Sequence, residues 1–284
     1  MSTIDPAARL GELVVERPAR APVFERLRLD YCCGGRQTLA AACTKRGLEL
    51  DTVRAALEAI DAASIDRQRF ESKDWRRVSI AELCTHIVAV HHDGLREALP
   101  RIETLLGTVV RVHGDGQPEL RNLQRAFAGI RAELEPHLAS EESELFPASL
   151  ALERRGVAIE EALLDEHEHE HTSVGDGLAA LRVLGGEYEP HAALCSTHRA
   201  LLDALATFEL DLHQHIHEEN NILLPRVREL NAAAQSHLSS PSTPTSTTNP
   251  EVSQREGAEQ GESLPACCRA WIAEQTRAWG PAPR

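Results

Sequence analysis

Aromatic side chains are scarce in this 284-residue chain: three Trp, two Tyr and five Phe, 4% of the sequence. Basic residues are also in deficit, with 30 Lys and Arg against 44 Asp and Glu, a formal net charge of −14. Nucleic acid and anionic membrane surfaces are bound through basic faces, so this balance argues against both as partners. No run approaches the 18 or so consecutive apolar residues of a membrane span. The first residues, Met1-Ser2-Thr3-Ile4-Asp5, lack the basic and apolar regions of a secretory signal, so an unsecreted chain is expected. Seven cysteines in such a chain read as reduced thiols, not as a disulfide framework. Alternation with period two is nearly missing, which argues against a sheet-based fold. Histidine, in contrast, is in excess. Its 14 copies outnumber all the aromatics together, as expected of a metal binder.

The length suggests about two domains, and 42% apolar residues suffice for a core. The prevailing rhythm is the 3.6-residue repeat of helices, so the fold class is all-α. Residues 1–62 break into short helical pieces. Leu10, Leu13 and Val14 mark one that stops before Pro18, and Val23, Phe24 and Leu27 mark the next. At Tyr31-Cys32-Cys33-Gly34-Gly35 the glycines allow a turn with backbone angles that other residues avoid. Leu39 to Arg46 reads helical and stops at Gly47, and Asp51 caps a last piece with Val53, Leu57 and Ile60. Residues 63–78 read as a linker anchored by Trp75. Ser79 and Glu82 form a capping box that opens residues 79–232. There, four long helices are expected near 80–112, 118–146, 157–184 and 192–231, with Gly114 and Gly185-Gly186 ending the first and third. Short connections make them antiparallel neighbours in an up-down-up-down four-helix bundle. Residues 233–284 begin a different composition: 239–250 are all Ser, Thr, Pro or Asn, a disordered linker before a tail with Cys267, Cys268, Trp271 and Trp279.

The bundle carries an internal repeat. His137-Leu138-Ala139-Ser140-Glu141 leads to Leu145-Phe146-Pro147, and His215-Ile216-His217-Glu218-Glu219 leads to Leu223-Leu224-Pro225. Each is H-x3-E, which places an imidazole and a carboxylate on one helix face a turn apart. A lone histidine precedes each at matching distance: His92 before His137, and His171 before His215. One H-x3-E on a charged helix is ordinarily a solvated face. Two copies with matched upstream histidines form a constellation of four imidazoles and two carboxylates, suited to two metal ions bridged by the carboxylates. Nitrogen and oxygen donors without thiolate favour iron or manganese over structural zinc. Di-iron carboxylate bundles are the nearest analogue, although they use E-x-x-H.

These residues resemble the iron–sulfur cluster repair di-iron family (ScdA/YtfE type), in which a ScdA-type N-terminal domain precedes a hemerythrin-like four-helix bundle. The resemblance covers about residues 5–230. Its marks are Asp30 to Gly35 with Gln37-Thr38-Leu39, Lys73-Asp74-Trp75, His92-Asp93, Glu170-His171 and both H-x3-E segments. It implies His92, His137, His171 and His215 as terminal ligands, Glu141 and Glu219 as bridges, and a non-haem di-iron centre with room for an oxo bridge. It further implies a cytoplasmic, dimeric protein that acts on iron–sulfur proteins with damaged clusters under nitrosative or oxidative stress. Supplying iron and binding or reducing nitric oxide are the proposed activities. A sensor or carrier of nitric oxide or dioxygen without turnover is the alternative. Iron storage is disfavoured, since no mineral nucleation surface is evident. The tail and the density of extra histidines depart from the family pattern.

Other residues carry expectations of their own. His213 and His217 lie about 200° around the helix from His215, so they should be solvated, as should His169 relative to His171. His167 shares a face with His171 and is a candidate seventh ligand. Cys32 and Cys33 are too close for an unstrained disulfide. They either pack in the turn or are accessible for redox chemistry, metal hand-over or nitric oxide adducts, the role the resemblance favours. Cys43, Cys84 and Cys195 read as packing residues. Pro136 should bend the helix beside His137.

Overall fold

Leu95, Leu99, Ile102, Leu106 and Val109 recur at intervals of three and four, line one face of a helix, and are all at most 1% exposed. The same spacing in Leu123, Phe127, Ile130 and Leu134, in Val174, Leu178 and Leu181, and in Leu201, Leu205, Phe208 and Leu212 closes a four-helix core. Each such side chain contributes about 1.5–3 kcal/mol on burial. The computed structural model describes residues 4–64 and 74–239. All elements among them are helical, with one isolated bridge between Arg9 and Thr38.

Four short helices come first: α1 (Leu10–Glu16), α2 (Ala21–Leu27), α3 (Leu39–Arg46) and α4 (Leu50–Ser64). They share a core around Leu10, Val14, Phe24, Leu39 and Leu57. Gly47 ends α3 in the left-handed region, as its place in the sequence predicts. The last piece starts at Leu50, so Asp51 sits inside the first turn instead of capping it. Arg20, 3% exposed, ties the group together by donating to the Leu13 carbonyl, Glu16 and Asp61.

Three of the four bundle helices change pitch midway. The first runs α5 (Ile80–Ile87), a π-helical turn (Val88–His92) and α6 (Asp93–His113). The second runs α7 (Glu119–Ser140), a π turn (Glu141–Leu145) and α8 (Phe146–Arg155). The third is an uninterrupted α9 (Glu161–Leu184), and the fourth is α10 (Ser196–Glu218), a π turn (Glu219–Leu223) and α11 (Leu224–Ser239). Ser79 caps α5 by accepting the Glu82 N–H at 3.1 Å. The second helix extends nine residues past its expected end at 146, because Phe146, Ser149 and Leu152 bury against α5 and α11 in a further core. Pro136 lies within continuous α-helix, and the change of pitch begins at Glu141, after the His137 turn. Pro147 and Pro225 explain where two of the π turns fall. Each lacks an N–H and crowds the carbonyl four residues back, which favours the wider turn.

The N-terminal helices dock on the side of α9 and α10. Asn221 donates to the Tyr31 and Cys32 carbonyls at 3.2 and 3.3 Å, and His213 Nδ1 meets Glu25 at 2.9 Å. Arg28 pairs with Glu187, and Arg36 with Glu168. The Tyr31 ring stands edge-on to His217, centroids 5.2 Å apart. His217 is therefore 1% exposed, and the His213 side chain 17%. Both point away from His215's face as expected, but onto another domain and not into solvent. His169 is exposed. The segment at 65–73, the 239–250 linker with Ser239 excepted, and the tail cysteines and tryptophans lie outside the described residues.

Candidate metal centre

Each H-x3-E segment presents its pair from the last α turn into the first π residue. His137 Nε2 lies 3.0 Å from Glu141 Oε1, and His215 Nε2 lies 3.2 Å from Glu219 Oε1. Antiparallel packing then brings in the lone histidines. His92 Nε2 is 3.3 Å from Glu141 Oε2, and His171 Nε2 is 3.0 Å from Glu219 Oε2. The result is two overlapping clusters, His92–Glu141–His215–Glu219 and His137–Glu141–His171–Glu219, with both carboxylates common to both. All six residues are at most 4% exposed. The clusters do not follow the sequence repeat. His92 meets His215 with ring centroids 5.0 Å apart, and His137 meets His171 at 4.9 Å, so each cluster takes one histidine from each half.

Two of the orienting hydrogen bonds stay within halves, and a third crosses between them. Glu142 Oε1 accepts from His92 Nδ1 at 2.7 Å, and Asn220 Oδ1 from His171 Nδ1 at 2.7 Å. Glu142 and Asn220 each follow the carboxylate of an H-x3-E segment, a position the sequence reading passed over. Glu170 Oε2 holds His137 Nδ1 at 2.6 Å. Acceptors on Nδ1 turn the Nε2 lone pairs inward and make the imidazoles more basic donors. Arg96 braces Glu142 in turn.

Burial alone would push both carboxyls up and the imidazoles down. For Glu141 the neighbouring His137, His171 and His92 outweigh burial and hold the carboxyl well below its usual range. Against its burial, His92 is pushed up to about 9 by Glu141 and Glu142, and His171 is raised by Glu141 and Glu219. The cluster therefore demands positive charge. All four oxygens of Glu141 and Glu219, together with Nε2 of His92 and His215, lack a hydrogen-bond partner among the described residues. Buried acceptors are rarely left so. Imidazole nitrogens and shared carboxylates in this arrangement fit a pair of first-row divalent ions, with no thiolate in reach to favour a structural zinc site.

His167 is 2% exposed but lies behind His137, its Nδ1 3.5 Å from Glu170, and it belongs to neither shared-carboxylate cluster. Burial lowers its affinity for a proton. Cys32 and Cys33 are free thiols with sulfurs 3.9 Å apart. Cys33 Sγ donates to the His171 carbonyl at 3.2 Å, so the pair abuts the turn of α9 that carries the candidate ligand His171. Cys32 is not accessible, contrary to expectation. At 5% exposed it is part of the bundle core, and its thiol is pushed well up by the contact with Cys33 and by burial. Gly34 and Gly35 do not adopt positive φ. They serve close approach instead: a Cβ on Gly35 would stand 2.5 Å from Asn221 Oδ1 and 2.6 Å from the Tyr31 carbonyl. Cys43 and Cys84 are buried as expected. Cys195 instead caps α10, accepting the His198 N–H at 3.4 Å with His113 Nε2 at 3.2 Å.

Two family models match the chain: the ScdA N-terminal type, a domain of unknown function (DUF542), over residues 7–61, and the hemerythrin HHE cation binding domain over residues 84–227. The chain is also similar to proteins named "Iron-sulfur cluster repair protein YtfE". That of Pectobacterium atrosepticum is 35% identical over 218 residues, 76% of this chain and 95% of the relative. Those of Yersinia pseudotuberculosis serotype O:1b and Yersinia pestis Pestoides F are 35% and 34% identical over the same shares. No helix among the described residues is long and apolar enough to cross a membrane.

Proposed function

The chain belongs to the iron–sulfur cluster repair family that joins a ScdA-type domain to a hemerythrin HHE bundle, and from that premise we propose that it holds two iron ions and supplies them to clusters damaged by nitric oxide or oxidants. His92 and His215 would hold one ion and His137 and His171 the other, with Glu141 and Glu219 bridging. Bound, the pair would supply transferable ferrous iron and a position for a diatomic ligand such as nitric oxide. The observation that carries this reading is the donor count. Two imidazoles and two shared carboxylates per cluster would leave each ion short of a full shell, which suits release better than permanent retention. A carrier that binds without turnover would be served by a seventh ligand, and His167 is turned toward Glu170.

The chain's own residues have definite tasks in this scheme. Glu142, Glu170 and Asn220 fix ring orientation, and the buried Phe146 ring stacks on His92 and shields it from water. Cys32 and Cys33 stand where α9 presents His171, and they would take part in delivery once the N-terminal domain shifts.

The test uses full-length protein loaded anaerobically with ⁵⁷Fe and mixed with a [4Fe–4S] enzyme pre-treated with nitric oxide. Label entering the reassembled cluster, read by Mössbauer spectroscopy, supports iron supply. Label that stays on the donor while nitrous oxide forms would replace supply with nitric oxide reduction. If neither occurs while nitric oxide binds reversibly, the carrier reading replaces both.

A further inference from the structure

A second set of metal-type donors adjoins the six-residue cluster without belonging to it. His86 Nε2 lies 3.2 Å from Glu218 Oε2, and His91 Nε2 lies 3.6 Å from the same oxygen. Bonds of about 2.0–2.2 Å to one ion space donors roughly 3–3.5 Å apart, and the three ligand atoms here all lie within 4.8 Å of one another. We propose that His86, His91 and Glu218 bind a third divalent cation, an exchangeable ferrous ion on its way between solvent and the buried pair. The binding site stands on its own geometry. Its use as an exchange station rests on the iron-supply reading above.

Each donor is aimed by a neighbour. Asp211 Oδ1 accepts from His91 Nδ1 at 2.8 Å, which turns Nε2 toward Glu218. Gln214 Nε2 donates to Glu218 Oε1 at 2.9 Å and leaves Oε2 to the site. The Trp75 ring stacks on His86 with centroids 3.9 Å apart and steadies it. His91 and Glu218 are 3% and 4% exposed, yet among the described residues no hydrogen bond satisfies His91 Nε2 or Glu218 Oε2, which face only each other and His86. Buried polar atoms that converge on one point in this way suit a shared cation. Two imidazoles and one carboxylate with open positions suit ferrous iron.

The placement supports exchange. The His86 side chain is 22% exposed, so the cluster meets solvent at that end. At the other end the His91 ring lies nearly parallel to His215, centroids 5.6 Å apart and planes at 14°. His91 and Glu218 also precede His92 and Glu219 in the chain. Between an ion held here and the buried pair would stand the facing rings of His91 and His215.

The experiment titrates the metal-free full chain anaerobically with ferrous iron alone, using equilibrium dialysis and metal analysis. Wild type is expected to bind three equivalents, the third lost on desalting. His86→Ala should bind two, and Glu218→Gln, which keeps size and shape, should also lose the third. A ferrous chelator should then extract the two retained ions at least threefold more slowly from His86→Ala than from wild type. Two equivalents in wild type, or three in both variants, would overturn the third site while leaving the buried pair standing. Fewer than two in wild type would overturn the two-iron reading instead. Loss of the third ion with unchanged extraction of the other two would reduce the site to binding without exchange and overturn the station role.

Discussion

Gly11→Ala should destabilise this protein for a reason that lies 210 positions away. Gly11 is in the first turn of α1, with no positive φ, so alanine there should gain about 0.5–1 kcal/mol from reduced chain entropy. A Cβ at Gly11, however, would stand 2.1 Å from Asn221 Oδ1. Asn221 cannot swing aside freely, because its amide is bonded to the Tyr31 and Cys32 carbonyls and sits 3.1 Å from His217 Nδ1. Displacing it forfeits the bonds of its two Nδ2 protons, shared among those three acceptors, at about 0.5–1.5 kcal/mol each. The net loss is then about 0.5–2 kcal/mol, which for a body of this size lowers Tm by roughly 1–8 °C. The sign should reverse in an Asn221→Ala background, where the alanine at 11 meets no amide and recovers its gain of about 0.5–1 kcal/mol. Thermal unfolding of wild type, both single variants and the double variant, all metal-free, measures the coupling directly. Additive effects, or stabilisation by Gly11→Ala alone, would refute the idea that Asn221 is the latch between the domains.

Other expected outcomes test the centre and its support. Glu141→Ala and Glu219→Ala should each leave at most one retained iron per chain by metal analysis, since each carboxylate serves both clusters. Glu142→Ala and Asn220→Ala should retain the fold but weaken iron retention about 10–100-fold, as loss of a ligand's hydrogen-bond partner does; competition with a chromophoric chelator reads this out. Cys32→Ser/Cys33→Ser should keep near-normal iron content while slowing repair of a nitric-oxide-damaged cluster, and unchanged repair kinetics would return the pair to a packing role. Arg20→Ala removes the bonds to Asp61 and the Leu13 carbonyl but leaves each a contact with Arg17, so it should cost about 1.5–3 kcal/mol in denaturant unfolding.

The bundle and its six candidate ligands were legible because periodicity and repetition are properties of the chain itself. Leu95 to Val109 announce a buried face, and the two H-x3-E segments announce each other. What escaped was set by contacts between distant segments. His213 and His217 sit on the polar side of α10 and read as solvated, until Glu25 and Tyr31 cover them. Gly34 and Gly35 looked like residues chosen for a turn, whereas the approach of Asn221 and the Tyr31 carbonyl is what excludes a side chain at Gly35. The pairing of His92 with His215 was equally hidden, since a linear repeat pairs each histidine with its own half. Two of the three π turns carry a signal that was present but unread: Pro ten residues after each H-x3-E histidine.

The split between the two kinds of bond has an ancestral implication. Two outer hydrogen bonds join neighbours within a half, Glu142 to His92 and Asn220 to His171, while the Glu170–His137 bond crosses halves and each candidate cluster draws one imidazole from each half. A single helical hairpin of this type would thus carry one well-oriented histidine and yet be unable to complete either site. Two copies laid head to tail would complete both at once. In that sense one polypeptide here contains the geometry of a symmetric dimer of hairpins, in which gene duplication and fusion would have turned a concentration-dependent assembly into an intramolecular one.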